Sequence, residues 1–223
     1  MDFVIAVDGP AASGKGTVAS GLAQIYCLPY LDTGALYRAV GVAVVAAGGL
    51  PSDPEAALRA ARALKLADID PEAIRTGAAG EAASQVGAHP QVRAALLDLQ
   101  RGFAGQSGGA VLDGRDIGTV IAPGAPAKLF VTAAPEVRAE RRWKQLKEQG
   151  EDIPFEAVLD DIRRRDERDS GRAAAPLVRA DDAVLLDTST MSISAAADAA
   201  RRIVEAARAR WLTNRPDGES NRA

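Results

Sequence analysis

One cysteine (Cys27) and one histidine (His89) are all that the 223 residues contain of these two types. A disulfide framework is excluded, and soft ligands are too few for a zinc site. There is no basic excess either: 27 Lys and Arg stand against 30 Asp and Glu, a net charge of -3, which argues against a broad nucleic-acid footprint. No run approaches the ~20 apolar residues of a transmembrane helix. The start, Met1-Asp2-Phe3-Val4-Ile5, enters an apolar segment without a basic region or cleavage site, so a cytoplasmic protein is expected. Hydrophobic residues make up 47% and charged residues 26%, which is ordinary for a globular chain. Cys27, beside Leu28, reads as a small core or near-core residue, and His89, just before Pro90, as the mark of a helix start.

Five short runs have strand character: residues 3–7, 30–32, 110–113, 128–132 and 183–187. Helical patterns separate them. One starts at Lys15, with Val18, Leu22 and Ile25 at i, i+4 and i+7; others begin near Gly34, follow Pro135, cover 155–169 and run from about Ser194 to Trp211. Strands alternating with helices predict an α/β fold, a five-stranded parallel sheet with helices on both faces. Two stretches interrupt the alternation. Residues 49–108 are Ala-rich and helical, and residues 143–172 are highly charged. Both read as insertions at the carboxyl edge of the sheet, where ligands bind in such folds. The core is then 1–48, 109–142 and 173–212, and the polar tail 213–223, with Pro216 and Gly218, is expected to be disordered.

Gly9-Pro10-Ala11-Ala12-Ser13-Gly14-Lys15-Gly16-Thr17 follows the first strand and opens the first helix, the context that a P-loop requires. Its backbone N–H groups would cradle phosphate oxygens, and Lys15 would follow the transferred phosphoryl group. This predicts a P-loop NTPase fold that binds ATP. The usual motif has Ser or Thr directly after the lysine as a magnesium ligand; here that position is Gly16. Mg²⁺ would therefore be held by phosphates and water, with no direct protein ligand.

Leu31-Asp32-Thr33-Gly34-Ala35-Leu36-Tyr37-Arg38 follows the second strand. Thr33 lies where a hydroxyl would equally serve as a helix cap, and Arg38 one turn on reads either as a ligand or as a surface arginine. Asp113 ends the third strand facing the crevice, placed to orient magnesium-bound water or simply to begin an Asp-Gly turn. In the charged stretch Arg165, Asp169 and Arg172 fall at i, i+4 and i+7, and Arg138 and Arg142 at i, i+4. Pattern alone suits a solvated, ion-paired face; next to a P-loop, the same residues suit an Arg-rich lid that excludes water and neutralises charge.

Together the P-loop, the 31–38 segment, Asp-Gly-Arg-Asp-Ile-Gly-Thr-Val (113–120) and Arg-Asp-Glu-Arg-Asp-Ser-Gly-Arg (165–172) resemble the bacterial-type cytidylate kinases over nearly the whole chain. Adenylate kinases usually carry Asp-Gly-Phe-Pro-Arg in the third position. The resemblance implies transfer of the γ-phosphoryl group of ATP to CMP or dCMP by a monomer that needs neither nucleic acid nor membrane. It makes 49–108 the NMP-binding insertion. It implies that Arg38 and Arg115 grip the CMP phosphate, that Thr33, Arg93 and Asp116 read cytosine, and that Tyr37 belongs to the same site. Ser84, Arg165 and Asp169 would contact the pentose, and Arg172 the base or the phosphates. Arg138 would reach ATP, and Arg142, with Lys15, Asp113, Arg165 and Arg172, would serve catalysis. The family often has serine at position 33, and many relatives carry a small antiparallel sheet where residues 65–80 are short and Gly/Ala-rich here. Rival readings are a P-loop kinase for UMP, AMP or shikimate, a P-loop switch or motor, and a nucleotide-binding regulator without turnover. Against a switch there is no Asn-Lys-x-Asp, and against a motor the third strand ends in Asp-Gly-Arg.

Overall fold

The apolar run after Asp2 forms strand β1 (Val4–Asp8), buried along its whole length. Successive side chains alternate between faces: Val4 and Ala6 enter one core, Ile5 and Val7 the other. A strand buried on both faces reads as a continuous apolar run, which is why it was visible in the sequence. β1 pairs in parallel with β3 (Ala110–Gly114) and with β4 (Ala127–Thr132). β2 (Tyr30–Asp32) adds beyond β3 and β5 (Val184–Asp187) beyond β4, giving the order β2-β3-β1-β4-β5. This is the expected five-stranded parallel sheet. The computed structural model describes residues 2–172 and 175–214.

Helices α1 (Lys15–Tyr26) and α8 (Ile193–Thr213) cover one face, packing Val18, Leu22, Ala200 and Val204 against Ile5, Val7 and Leu129. Helices α2 (Thr33–Ala46), α3 (Pro54–Ala63) and α5 (Pro90–Ala104) cover the other, with Leu36, Val40, Ala57 and Leu96 against Ala6 and Leu112. Helix α4 (Gly77–Val86) lies beyond α2. Helices α6 (Pro135–Glu148) and α7 (Phe155–Ser170) build a third, small core of Ala139, Leu146, Val158 and Ile162, which the P-loop residue Ala11 completes. Proline occupies the first turn of α3, α5 and α6, where its missing N–H costs nothing. Among the described residues no helix is long and apolar enough to cross a membrane.

Several expectations are corrected. Cys27 is exposed rather than a core residue: it caps α1 in a left-handed conformation (φ 51°) that turns its side chain away from the sheet. The N-cap of α2 is Asp32, whose carboxylate accepts from the Ala35 N–H at 3.1 Å, and Thr33 lies inside the helix. α7 ends at Ser170, so Arg172 reaches the helical face from beyond its end. As expected from the Ala-rich composition, residues 65–80 hold helix rather than strand among the described residues: two single-turn helices (Leu66–Asp68 and Ala73–Arg75) and the first turn of α4. α8 continues through Thr213, and residues 215–223 of the expected tail lie outside the described residues.

Asp8 closes β1 on the face of Val4 and Ala6. Its carboxylate accepts from the backbone N–H groups of Ile117 and Gly118, both at 2.7 Å, and so anchors the π-turn Ile117–Ile121 that follows β3. Burial pushes its pKa from 3.8 up to about 6, against the pull of those two bonds. An acid whose folded pKa is raised contributes most stability while protonated and loses it as pH climbs from the unfolded value through the folded one. Asp8→Asn keeps one acceptor and leaves the other N–H unsatisfied, a cost of about 1–3 kcal/mol. Urea unfolding of the two proteins should show this deficit at pH 4 and a smaller one at pH 7; a deficit that widens with pH contradicts the assigned burial.

Candidate active site at the carboxyl ends of the strands

The loop between β1 and α1 is fixed by close approach. A Cβ on Gly9 would lie 2.0 Å from the Val131 carbonyl oxygen, so only glycine fits there. The loop delivers Lys15 to the carboxyl edge of the sheet. Burial, reinforced by the neighbouring Arg115, depresses the Lys15 ammonium from 10.5 to about 8, with Asp113 and Asp32 opposing the shift.

Strand register explains which acids meet the lysine. Asp32 on β2 pairs with Asp113 on β3, so both point to the α1 side of the sheet, whereas Asp8 points to the other. Burial raises the Asp113 carboxyl, while Lys15 opposes it and the Tyr30 hydroxyl donates to it at 2.7 Å. Asp32 is held below its ordinary value: burial works to raise it, but Arg38, which donates to it at 2.5 Å, together with Lys15 and the Ala35 N–H, outweighs burial. A Cβ on Gly16 would lie 3.3 Å from Asp113 Oδ2, so the glycine after the lysine leaves room beside this carboxylate.

A cavity of about 100 Å³ opens between these strand ends and the insertions. It gathers Lys15, Thr33, Tyr37, Arg38, Ser84, Arg93, Asp113, Arg115, Asp116, Arg165, Asp169 and Arg172, so it brings together every residue expected at the acceptor side. Four of its six basic groups are paired with acids of the same cavity, Arg38 with Asp32 and three others as follows. Arg93 donates to Asp116 and lies 5.6 Å from the Tyr37 ring centroid; Arg115 Nε donates to Asp169 at 2.7 Å, and Arg172 to the other oxygen of Asp169 at 2.5 Å. Burial would raise Asp169, but these two arginines hold its carboxyl below the usual range. Thr33 Oγ1 donates to the Asp113 carbonyl at 2.7 Å, tying α2 to β3. Ser84 Oγ is buried at this cavity and, among the described residues, has no hydrogen-bond partner.

Two larger cavities flank the P-loop. One of about 440 Å³ lies between the loop and the start of α8, with Val18, Met191, Ile193 and Ala196 on its apolar side and Arg141, Arg142 and Thr188 on its polar side. The other, about 490 Å³, runs over Lys15, Gly16 and Thr17 to Arg38, Arg142 and Arg165 and shares Lys15, Arg38, Arg115 and Arg165 with the smaller cavity. Ala11, Ala12 and Gly14 line one or both of them. Arg138 behaves differently. It is 3% exposed, lines none of these cavities, and donates to Asp166 and to backbone carbonyls.

Sequence reasoning missed several participants. Asp32 was visible as a strand-ending acid beside Thr33. Arg141 donates to the Thr188 carbonyl at 2.7 Å and to its hydroxyl at 3.0 Å, while Thr188 Oγ1 donates to the Ser13 carbonyl at 3.0 Å; only the Arg-Arg pair 141–142 hinted at this. Arg75, from the short 65–80 segment, lines the cavity of about 490 Å³ and carried no signal.

The cytidylate kinase family model matches residues 5–206. A cytidylate kinase of Xanthobacter autotrophicus is 68% identical over 207 residues, 93% of this chain and 99% of that protein. One of Caulobacter sp. (strain K31) is 66% identical over 211 residues, 95% and 98% of the two chains. A solved structure of an uncharacterized protein from Eubacterium ventriosum shares the fold at TM-score 0.53 with 11% identity, covering 92% of this chain and 99% of that one.

The depressed lysine yields a test that needs no substrate. A base whose folded pKa lies below its unfolded value costs stability while charged in both states, and the cost disappears as pH rises from about 8 through 10.5. Lys15→Met keeps the side-chain volume and removes the charge, so at pH 7 the ligand-free variant should be more stable by roughly 3 kcal/mol, with the gain vanishing above pH 10.5. Thermal unfolding across that range checks it; a destabilised variant at pH 7 would mean that Asp32 and Asp113 fully compensate the charge.

Proposed function

The chain belongs to the cytidylate kinase family and transfers the γ-phosphoryl group of ATP to CMP or dCMP, giving ADP and CDP or dCDP; we propose that it does so with the donor on the P-loop and the acceptor in the Arg-lined cavity. The observation that carries this division is the charge of the smaller cavity. Six basic and four acidic side chains line it, an excess of two positive charges, which suits the dianion of a nucleoside monophosphate. The larger, partly apolar cavity beside α8 suits the donor base.

In this reading Arg38 and Arg115 bind the acceptor phosphate. Asp116 accepts from the cytosine amine and is held in place by Arg93, while Thr33 contacts the same edge. The unpartnered Ser84 hydroxyl takes a pentose hydroxyl, together with Arg165 and Asp169. Tyr37 supplies the ring beside Arg93, and Arg172 closes the site from beyond α7. The P-loop amides of residues 9–17 and Lys15 hold the donor phosphates. Arg142 and Arg165, which share the cavity of about 490 Å³ with Lys15, neutralise charge on the transferring group. The acceptor is already an anion, so no strong base is needed; alignment and charge neutralisation carry the step. Arg138 acts through the loop and the lid rather than on ATP.

The donor set fits a magnesium ion held by phosphates and water. Among the described residues no group of three or more His, Cys, Asp and Glu could hold a metal. Asp113 stands beside Gly16 with space where a side chain would be, so a hydrated ion would meet a carboxylate through water. When bound, the ion supplies charge against the β- and γ-phosphate oxygens. The domain division of a core, an NMP-binding insertion at 49–108 and a lid at 143–172 follows the same reading, although the 142/143 boundary falls inside α6. So does a monomer working in the cytosol on free nucleotides.

ADP release from ATP and Mg²⁺ across the nucleoside monophosphates tests the assignment. CMP and dCMP should exceed UMP in kcat/KM by at least about 10², because uracil lacks the amine that a buried carboxylate would accept from. Asp116→Asn should reduce that ratio by an order of magnitude or more, through lost CMP turnover rather than gained UMP turnover. Equal use of AMP and CMP would sink the acceptor assignment.

A further inference from the structure

The apex of the P-loop is built into the lid. Ala12 is left-handed (φ 58°), an unfavourable state for a residue with a Cβ, and needs outside support. The preceding Ala11 gives its methyl to the α6–α7 core and its carbonyl to Arg138. Arg138 is the joint. Its Nε donates to the Ala133 carbonyl at 2.8 Å, and its Nη1 to the Ala11 carbonyl at 3.3 Å. Nη1 and Nη2 together grip both carboxylate oxygens of Asp166 on α7, at 2.9 and 2.6 Å. A planar, bidentate guanidinium fixes orientation as well as distance.

The geometry of α7 shows what that orientation controls. Val158, Ile162 and Asp166 recur every four residues on the side that meets α6 and Ala11. Arg165 and Asp169, one residue before and three after Asp166, stand on a neighbouring stripe that lines the acceptor cavity. Rotation of α7 about its axis would swing both out of that cavity, and the Arg138–Asp166 clamp opposes such a rotation. We propose that Arg138 and Asp166 are positioning residues that couple the donor and acceptor sites: phosphate seated on the P-loop fixes Ala11 and Ala12, Arg138 transmits that constraint to Asp166, and α7 then holds Arg165 and Asp169 on the acceptor. The proposal rests on the assignment of the two cavities to donor and acceptor.

The coupling is measured by titrating CMP calorimetrically into the full chain, with and without a saturating non-hydrolysable ATP analogue and Mg²⁺. The unsubstituted protein should bind CMP roughly 5–100-fold more tightly with the analogue, the usual span of coupling between sites. Asp166→Asn, which turns one acceptor toward Arg138 into a donor, should cut this factor below about threefold while changing CMP affinity without the analogue by less than about twofold. Arg138→Lys cannot span the two carbonyls and the carboxylate together and should do the same; it decides the matter if Asp166→Asn does not fold by circular dichroism, as Asp166→Asn does in the converse case. Asp166→Glu, which keeps both carboxylate oxygens, is the test if neither folds and should retain most of the coupling. Arg163→Ala breaks a different, exposed α6–α7 ion pair with Glu136 and should leave the factor unchanged. Four results overturn the proposal: no coupling in the unsubstituted protein, undiminished coupling in a folded Asp166→Asn or Arg138→Lys variant, equal loss in Arg163→Ala, or loss from Asp166→Glu alone. CMP turnover of the unsubstituted chain reports separately on the cavity assignment.

Discussion

Six basic side chains converge on a cavity of about 100 Å³, and cations at such spacing away from bulk water repel one another by several kcal/mol unless carboxylates lie among them. The carboxylates come from the end of β2, the turn after β3 and helix α7: Asp32 takes Arg38, Asp116 takes Arg93, and Asp169 takes both Arg115 and Arg172. Asp169, on α7, therefore holds Arg115 just after β3 and Arg172 just after α7 at once, and through it α7 rests against the sheet edge. An entering phosphate would compete with these carboxylates for the same guanidinium forks. The ion pairs thus act as place-holders that keep the arginines extended and the crevice formed.

Strand alternation distributes the acids. At the carboxyl edge, neighbouring residues on β1 and β3 point to opposite faces, so Asp113 meets Lys15 on the α1 side while Asp8 supports the π-turn on the α5 side. That turn follows directly on Arg115 and Asp116, the pair expected to grip and to read the acceptor. The acid that begins the P-loop and the residues proposed for base recognition are therefore two ends of one hydrogen-bonded connection. Burial raises both Asp8 and Asp113, but for different uses: one satisfies backbone donors, and the other faces the cavity.

Much of this was legible because of how the information is laid out along the chain. The strands read as apolar runs because both faces are buried, and the P-loop reads as a motif because its parts are contiguous. The small cavity draws on six separated segments, so its full lining was visible only through resemblance to a known family; no spacing rule links Ser84 to Asp169. What stayed hidden depends on three-dimensional packing. Cys27 looked like core because Leu28 follows it, but a left-handed cap turned it outward. Asp32 rather than Thr33 caps α2, because the Thr33 hydroxyl is drawn across to the Asp113 carbonyl. Arg138 looked like a ligand arginine on a helical stripe. Its burial in the α6–α7 interface follows from the position of Asp166, 28 residues later.

The asymmetry between the two sides of the site has a physical consequence. The small cavity is held mainly by ion pairs: Arg38–Asp32 is partly exposed, whereas Arg93–Asp116 and the two pairs of Asp169 are largely buried, so an entering anion would have to take the place of those carboxylates. The P-loop is held by steric and buried contacts: Gly9 against the Val131 carbonyl, Ala11 in a hydrophobic core, the Ser13 carbonyl accepting from Thr188, and the Ala11 carbonyl accepting from Arg138. Contacts of the second kind are costly to rearrange, since each would leave a buried group unsatisfied. A change at Ala11 or Ala12 therefore cannot be absorbed within the loop and passes through Arg138 to Asp166 on α7, the helix that carries Arg165 and Asp169. A phosphotransferase that must exclude water yet release a diphosphate gains from such a linkage: the groups around the small cavity can be held or released according to what the loop binds.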